Sequence, residues 1–418
     1  MDKLFANYAA VPGNKNYDKL IERRRDLYAR NDDVRSPFTR DFTRILHSLA
    51  YRRLKHKTQV FYNAADNDHI CTRIEHVQHV DSVSNTIARS IGLNEELTRA
   101  IAMGHDLGHA PFGHQGEVIL DNLIKNTIPK YKDYQNKVFW HEKNGVHFVD
   151  DIELLADKEN NYQNLNLTYA VRDGIISHCG EVDQNGIKPR EEFIDLSEFD
   201  RPNKFQAITW EGCVVKLADK IAYLGRDIED AIRMNYLTKD MKYVLRDMAK
   251  VKDEKALNTT VIMHNMIIDL CENSNPEVGL TLSDVMADQL AELKKFNYKN
   301  IYSNPRLGHF ERYAEFVLTE IFNVLVGYYE AYGADVVAKL KEINFDNYKF
   351  VKAFAVGLME HSTVVVDGID GFDPDKYKNE KVYGDLSDKD TYVMAVIDFI
   401  SGMTDNYAIN ALNELLQC

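Results

Sequence analysis

The chain has 418 residues, of which 44% are hydrophobic and 28% are charged, and its formal net charge is −14. This length can bury a sizeable core, and the acidic balance argues against nonspecific nucleic-acid binding as the main role. Five scattered cysteines without a Cys-x-x-Cys pair argue against a disulfide framework and a cysteine-based zinc site. Because no signal peptide or membrane-length apolar run is evident, the sequence predicts a soluble, cytoplasmic protein without a membrane partner.

Apolar residues recur at helical spacing along most of the chain, and no alternating strand pattern is persuasive. Helices are predicted over residues 41–55, 75–91, 94–106, 116 onward, 141–155, 168–178, 210–234, 252–272, 281–296, 307–342, 346–360 and 388–416. Residues 157–166 and 180–202 are predicted to be loops, and residues 58–62 a loop or a short strand. The large helical share predicts an all-α protein.

No linker-like change of composition divides the chain. We therefore expect a polar N-terminal segment at 1–34, a core at 35–250, and a C-terminal helical part at 251–418 that packs on the core. One large domain is the predicted arrangement.

Histidines concentrate between Arg73 and Glu117. The segment holds five of the 14 histidines: His76, His79, His105, His109 and His114. The His105-Asp106 pair stands in an apolar run, where buried polar groups need partners. A metal ion is the simplest partner, since the pair offers a nitrogen and an oxygen and His76 can add a second nitrogen. Glycine and proline residues after Asp106 predict a tight loop for the later histidines.

The predicted helix at 210–234 carries a second polar set. Asp219, Tyr223 and Asp227 are spaced i, i+4 and i+8, which places them along one face. A solvated face is the alternative interpretation, but apolar neighbours on both sides favour a buried one. A basic stretch between Arg35 and Lys57 has a similar ambiguity: it is either a salt-bridged helix face or a local cationic site.

An ordered set of motifs runs along the chain: Arg35-Ser-Pro-Phe, Lys57-Thr-Gln-Val-Phe, Arg73-x-x-His76, His105-Asp106-Leu-Gly-His109 through Glu117, His141-Glu142, Gly174-Ile-Ile-Ser-His178, Asp219-Lys220 through Asp227, and Asp398 through Asp405. Together and in this order, the motifs resemble those of the HD-domain deoxynucleoside triphosphate triphosphohydrolases, the bacterial dGTPase-like family related to the SAM-and-HD-domain dNTP hydrolase. The resemblance covers roughly residues 35–410 and implies an HD-domain helical fold with additional C-terminal helices.

The resemblance also implies a role for each matching residue. His76, His105, Asp106 and Asp219 match ligands of one divalent ion, which could be Mg, Mn, Fe, Co, Ni or Zn. The residues that match the family's catalytic group are His109, Glu117, His114 and His141. The residues that match its substrate contacts are Gln59, Arg73, Lys220, Tyr223, Asp227, Lys294, Tyr298 and Tyr302. In the family, Arg73 and Lys220 correspond to phosphate contacts, Gln59 and Asp227 to sugar 3′-hydroxyl contacts, and Tyr223 and Tyr302 to barriers against ribonucleotides.

The function implied by the resemblance is metal-dependent hydrolysis of a deoxynucleoside triphosphate to the deoxynucleoside and triphosphate, which makes the chain a phosphoric ester hydrolase. His109 is then an acid or a base, and both roles stay open. One rival is another HD phosphohydrolase acting on a monophosphate, a cyclic nucleotide or an alarmone. A second rival is a non-catalytic sensor of nucleotides or single-stranded nucleic acid.

The family also implies a homo-oligomer, a tetramer or hexamer, with an activating dNTP between subunits and single-stranded DNA as a candidate partner. The sequence does not reveal the preferred dNTP or the native metal. His79 stands where many relatives have Glu, and it either supports the metal site or is a structural or exposed residue.

Overall fold

Helices dominate the computed structural model, which describes residues 3–27, 32–62, 69–179, 185–238, 241, 259–344 and 348–416. The prediction of an all-α fold is confirmed. The α-helices are α1 Tyr17–Leu20, α2 Pro37–His47, α3 Leu49–Arg53, α4 Arg73–Ile91, α5 Glu95–Gly104, α6 Gly113–Thr127, α7 His141–His147, α8 Tyr169–Ser177, α9 Trp210–Arg233, α10 Thr259–Asn273, α11 Asp284–Asn297, α12 Leu307–Tyr332, α13 Val336–Asn344, α14 Lys349–His361, α15 Lys389–Ser401 and α16 Asp405–Leu416.

Short helical turns extend or link these helices. The 3-10 turns are Ala6–Tyr8, Leu54–His56, Pro129–Tyr131, Leu196–Glu198, Gly333–Asp335 and Pro374–Lys376. Two π-helical turns, Phe148–Ile152 and Tyr298–Tyr302, continue α7 and α11. No helix in the part of the chain that the structure describes is long and apolar enough to cross a membrane.

Two predicted helices are interrupted by residues with specific local chemistry. The predicted helix at 41–55 breaks at Ser48, whose hydroxyl oxygen accepts a hydrogen bond from the Tyr51 N–H (3.2 Å) and caps α3. The predicted helix at 307–342 breaks at Gly333, where φ is +56° and a residue without a side chain is favoured. Continuous apolar spacing hides both breaks.

A small hairpin was not predicted. Strands β1 Leu154–Ala156 and β2 Tyr162–Asn164 pair antiparallel, so the predicted helix at 141–155 ends early and the predicted loop at 157–166 contains a strand. Asp157 closes the turn by accepting main-chain hydrogen bonds from the two residues Glu159 and Asn161. Three-residue strands are too short to show an alternating pattern.

The contacts divide the chain into two compact units, each built from three stretches. Unit 1 is Met1–Leu46, Thr58–Asp106 and Leu167–Phe310. Unit 2 is His47–Lys57, Leu107–Asn166 and Glu311–Cys418. The predicted boundary at residue 250 lies outside the described residues, and the predicted division of the chain stays a prediction.

Unit 1 is organised around α9, which packs against α4, α5, α8, α10 and α11. α5 and α8 approach closely because Gly174 has no side chain: a Cβ there would lie 2.5 Å from Ile101. Asn94 caps α5, as the sequence predicted, by accepting from the Glu96 and Leu97 N–H groups. These contacts fix the helices whose polar residues form the site described below.

Unit 2 contains α3, α6, α7, the hairpin, most of α12, and α13 to α16. α15 packs against α6 and α14, and the predicted helix at 388–416 is two helices, α15 and α16, separated by three residues. The ring of His147 bridges two carboxylates: Nδ1 lies 2.9 Å from Asp151 Oδ2 and Nε2 lies 3.0 Å from Asp398 Oδ2. Tyr383 also donates to Asp398 (2.9 Å).

Candidate metal centre and active-site residues

Two imidazoles and two carboxylates lie together in unit 1. His76 Nε2 lies 2.9 Å from Asp219 Oδ1 and 3.9 Å from Asp106 Oδ2. His105 Nε2 lies 3.5 Å from Asp106 Oδ1 and 3.9 Å from Asp219 Oδ1. Helix α4 supplies the first histidine, the end of α5 supplies His105-Asp106, and α9 supplies the second aspartate. The structure thus brings together all four residues that the resemblance assigns to the metal. These four, His76, His105, Asp106 and Asp219, are the metal-type residues.

The His105 ring is oriented by the main chain. Its Nδ1 lies 2.7 Å from the Ala102 carbonyl oxygen, which can only accept, so Nδ1 carries the proton. The lone pair is therefore on Nε2, which is buried and has no hydrogen-bond partner among the described residues. A buried acceptor without a donor is costly unless a ligand satisfies it. The nitrogen fits a metal ion.

The protonation states of Asp219 and His105 also fit a cation. Burial lowers the pKa of His76, but the hydrogen bond and charge of Asp219 outweigh burial and raise it, so a metal ion would take the place of the His76 proton. Burial opposes ionisation of Asp219, but the hydrogen bond and charge of His76 outweigh burial and hold the Asp219 pKa well below its usual value. Burial lowers the pKa of His105 to about 4, which leaves its imidazole neutral at pH 7. An anionic carboxylate and a neutral imidazole are the forms that bind metals. Two nitrogens with carboxylate oxygens suit a divalent ion with open positions.

Arg73 lies at the start of α4, one turn before His76, and is 1% exposed. Its Nη1 donates to Asp106 Oδ2 (2.9 Å). Nε and Nη2 are buried and have no partner among the described residues. A guanidinium keeps its charge when buried, so these two donors favour a second anion next to the metal-type residues.

Asp227 and Tyr302, two of the predicted substrate residues, contact each other. The Tyr302 hydroxyl donates to Asp227 Oδ2 (2.5 Å), which joins α9 to the π turn after α11. Burial raises the pKa of Asp227 to about 7, although the hydrogen bond from Tyr302 opposes this change. The carboxyl group therefore gains or loses its proton near neutral pH.

The other predicted substrate residues also lie in unit 1. Gln59 is half-buried, and its buried Oε1 accepts no hydrogen bond from the described residues. Lys220 is buried and Tyr223 is half-buried on α9. Lys294 is half-buried, whereas Tyr298 is 68% exposed. Unlike Tyr302, Tyr298 is thus open to solvent.

Glu117 forms the centre of a second group, which lies in unit 2. Its Oε1 lies 2.8 Å from His109 Nδ1, 3.0 Å from His141 Nδ1 and 3.4 Å from His114 Nδ1. The His109 and His141 rings stack with centroids 3.8 Å apart. Burial would raise the Glu117 pKa, but the positive charge of the three histidines holds it well below its usual value.

Where an Nδ1 beside Glu117 carries the proton, the Nε2 of the same ring is the site where a further proton is accepted or released. The negative charge of Glu117, 2.8 Å from His109 Nδ1, favours the tautomer protonated at this nitrogen and leaves Nε2 for acid–base chemistry. Glu117 and the three histidines are also close enough together to hold a metal ion, since one ligand atom of each lies within 4.8 Å of the others. The four residues are His109, His114, Glu117 and His141. Chemically, the group can transfer a proton or bind a cation.

His79 follows His76 by one turn and is half-buried. Its Nε2 contacts the Arg226 guanidinium, which also pairs with Glu229 (2.8 Å). The nitrogen must act as the acceptor there, and burial with the charge of Arg226 lowers the pKa of His79. The residue thus contacts α9 and is not simply exposed.

Sequence reasoning assigned no site role to His178. The structure places its ring 5.0 Å from that of His105, with Nδ1 2.6 Å from the Ile175 carbonyl oxygen. One ligand atom each from His178, His105 and Asp106 lies within 4.8 Å of the others. The only signal in the sequence was its place at the end of the Gly174-Ile-Ile-Ser-His178 motif.

The fold and both groups coincide with known family models. The HD domain model matches residues 73–224, which include all four metal-type residues and the Glu117 group. A phosphohydrolase-associated domain model matches residues 280–351, which include Tyr302. The class of protein that the helices and the site define is therefore the HD-domain phosphohydrolases.

Curated relatives narrow the class. A protein of Desulfatibacillum aliphaticivorans is 37% identical over 302 residues, covering 72% of this chain and 76% of the relative. Relatives from Caldanaerobacter subterraneus and Clostridium tetani are each 31% identical and cover 92% of this chain and 86% of their own lengths. All three are named deoxyguanosinetriphosphate triphosphohydrolase-like protein. The chain belongs to this dGTP triphosphohydrolase-like family of HD-domain proteins.

Proposed function

We propose that the protein hydrolyses deoxynucleoside triphosphates to the deoxynucleoside and inorganic triphosphate in a metal-dependent reaction. The observation that carries the proposal is the buried Arg73 guanidinium, which contacts the Asp106 carboxylate and has two nitrogens without a hydrogen-bond partner among the described residues. A fixed cation beside a metal site is suited to a phosphate chain. The relatives' names point to a purine deoxynucleotide as one substrate.

Binding of the phosphates is the first task of the site. Arg73 would donate through Nε and Nη2 to the α-phosphate, and buried Lys220 would add a second positive charge. A divalent ion bound by His76, His105, Asp106 and Asp219 would polarise a phosphoryl oxygen and favour attack by water. Because the cations are buried, they stabilise negative charge without competition from bulk water.

Recognition of the sugar would fall to the residues along α9. Asp227, which accepts from Tyr302, is a hydrogen-bond acceptor for the 3′-hydroxyl, and Gln59 offers to the same group a buried oxygen that accepts no hydrogen bond from the described residues. Tyr223 would lie against the sugar face and leave no room for a 2′-hydroxyl. Selection for deoxyribose thus follows from bulk on one side and hydrogen bonds on the other.

Proton transfer is assigned to His109. Water attacks the α-phosphorus, the bond from phosphorus to the 5′-oxygen breaks, and the 5′-oxygen receives a proton. Glu117 holds His109 Nδ1, so Nε2 would exchange the proton with the water or the leaving oxygen. Only two residues separate Asp106 from His109, so the three steps of chain between them span at most about 11 Å.

Product analysis tests the proposal. Each dNTP and GTP is incubated with the protein and Mg, Mn or Co, singly and in nucleotide pairs, and the products are separated by HPLC. We expect deoxynucleoside and intact triphosphate from at least one dNTP, none from GTP, and none with an Asp219→Ala variant. Release of pyrophosphate or single phosphate instead, or no turnover of any dNTP by the metal-loaded protein, would contradict the proposal.

We also propose, from the resemblance alone, a tetramer or hexamer that a second dNTP activates. Light scattering with and without dNTP measures the assembly. A monomer that is fully active and shows simple saturation kinetics would contradict this part without affecting the proposed reaction.

A further inference from the structure

The histidine loop, defined here as Leu107–Phe112, carries His109 and is held by a buried lysine. The Lys57 ammonium donates to the main-chain oxygen of His109 and to that of Ser401 (2.9 Å). The lysine is 2% exposed. An ammonium group is costly to bury without hydrogen bonds, so donating to two carbonyls ties the loop firmly to the end of α15.

Two further side chains bind the histidine loop on either side of this lysine. Asn144 Nδ2 donates to the Gly108 carbonyl oxygen (2.7 Å). Asp405 Oδ1 accepts from the Phe112 N–H (2.9 Å). Phe112 has φ of +63°, a strained conformation for a bulky residue that persists only where the surroundings impose it. Both side chains are buried: Asn144 is 5% and Asp405 4% exposed.

The histidine loop also packs directly on the main chain of α7. A Cβ at Gly108 would lie 2.1 Å from the Gly145 nitrogen and from the His141 oxygen. Only glycine allows this approach. Hydrogen bonds at Gly108, His109 and Phe112 and close backbone packing stabilise the loop in this conformation.

Residues of two motifs, to which the proposed reaction assigns no role, meet at this loop. Lys57 opens one of them, and Ser401 and Asp405 belong to the segment from Asp398 to Asp405. Ser401 lies 344 residues from Lys57, and Asp405 lies 293 residues from Phe112. The two motifs are therefore on opposite sides of the loop in the sequence. Their shared feature in the structure is that they hold the histidine loop.

We infer that Lys57, Asn144 and Asp405 are positioning residues that fix the histidine loop and thereby aim the His109 imidazole. Glu117 lies 2.8 Å from the ring of His109, Lys57 holds the main chain of His109, and Asn144 and Asp405 hold the loop on either side of it. The effect on catalysis rests on the proposed function, whereas the effect on the loop does not. Misplacing a reacting group by about 1 Å can cost about 100-fold in rate.

The test compares Lys57→Met and Asp405→Ala with matched controls. Lys55→Met removes an exposed lysine two residues away, and Asn406→Ala truncates the exposed neighbour of Asp405. Asp405→Asn keeps an oxygen that can accept from the Phe112 N–H. Circular dichroism and gel filtration establish that each variant is folded.

Two measurements are made on each full-length variant. Amide hydrogen exchange, followed by mass spectrometry, reports on peptides of the histidine loop and of α14, and turnover of the best dNTP gives kcat and KM. We expect Lys57→Met and Asp405→Ala to exchange faster in the loop but not in α14, and to lose about 100-fold in kcat with KM changed by less than about 3-fold. Asp405→Asn and both controls should resemble the wild type.

Unchanged exchange in the histidine loop of Lys57→Met and Asp405→Ala would overturn the inference, as would faster exchange throughout unit 2. Unchanged kcat with a loosened loop would overturn the link to His109. If the wild type turns over no dNTP, the proposed function fails, but the exchange data still decide whether these residues hold the loop.

Discussion

Replacing Glu117 with Gln tests the proton-transfer group most sharply. The amide has the shape of the carboxylate but no charge, and it faces three imidazole nitrogens at 2.8, 3.0 and 3.4 Å. A hydrogen bond to a charged group is worth about 1.5–3 kcal/mol, against about 1 kcal/mol for a neutral one. Losing about 1–2 kcal/mol of stabilisation of the His109 imidazolium corresponds to a fall of about 5- to 30-fold in kcat.

A fall in kcat is not the only expected effect. The Glu117 pKa is held well below its usual value, so the carboxylate stabilises the folded state above its unfolded pKa and loses this contribution as pH falls through the folded pKa. The Glu117→Gln variant should therefore unfold more easily at pH 7 and show a weaker loss of stability in acid.

The assay measures triphosphate release between pH 5.5 and 9, and urea unfolding measures stability. Asp133→Asn, which removes one negative charge from an exposed residue of unit 2, is the matched control and should behave as the wild type. Wild-type kcat at every pH in the Glu117→Gln variant would refute the assignment of Glu117 and His109 to proton transfer.

Two pH predictions concern buried Asp227 and half-buried His147. Because burial raises the pKa of Asp227 to about 7, the folded state binds its proton more tightly than the unfolded state, so this group lowers the free energy of unfolding as pH rises from about 4 to about 7. Urea unfolding of Asp227→Asn should lack that decrease, and an identical pH dependence in the variant would contradict it. Although burial opposes the charge, Asp398 and Asp151 raise the pKa of His147 to about 10, so its stabilisation is complete below pH 6.5 and is lost as pH rises towards 10. His147→Leu should be less stable at pH 6 by about 2 kcal/mol, with the difference shrinking at pH 10, while a difference that is constant with pH would refute the ion pair.

Periodicity was enough to predict the helices that carry the site. Apolar spacing indicated α4 and α9, and on them the residues Arg73, His76, Asp219 and Asp227 fell one or more turns apart on one face, as the structure has them. What the pattern could not show was where helices break, because Ser48 caps a helix through its own hydroxyl without interrupting the apolar sequence.

Some contacts between distant residues were beyond the reach of the sequence, although the resemblance grouped the four residues assigned to the metal. The resemblance paired Glu117 with His109, but His114 and His141 share the same carboxylate. His178 comes close to His105 only because α5 and α8 pack together. Such convergence depends on helix packing, which local spacing does not encode.

The positioning of the histidine loop shows the same limit at longer range. In the sequence, Lys57 is one of several basic residues between Arg35 and Lys57, and nothing in the pattern distinguishes it from Lys55. In the structure, Lys57 is buried against main-chain oxygens, while Lys55 is exposed. A charge pattern predicts solvent exposure by default. The default was wrong for Lys57 because the carbonyl groups it meets come from far along the chain.

The most direct test of the central claim is the position of a bound ion. Crystals soaked in Mn²⁺ and measured for anomalous scattering should show one strong peak between His76, His105, Asp106 and Asp219. The account predicts that the peak disappears in an Asp219→Ala variant while the fold is kept. A peak at the Glu117 histidines with none at these four residues would contradict it.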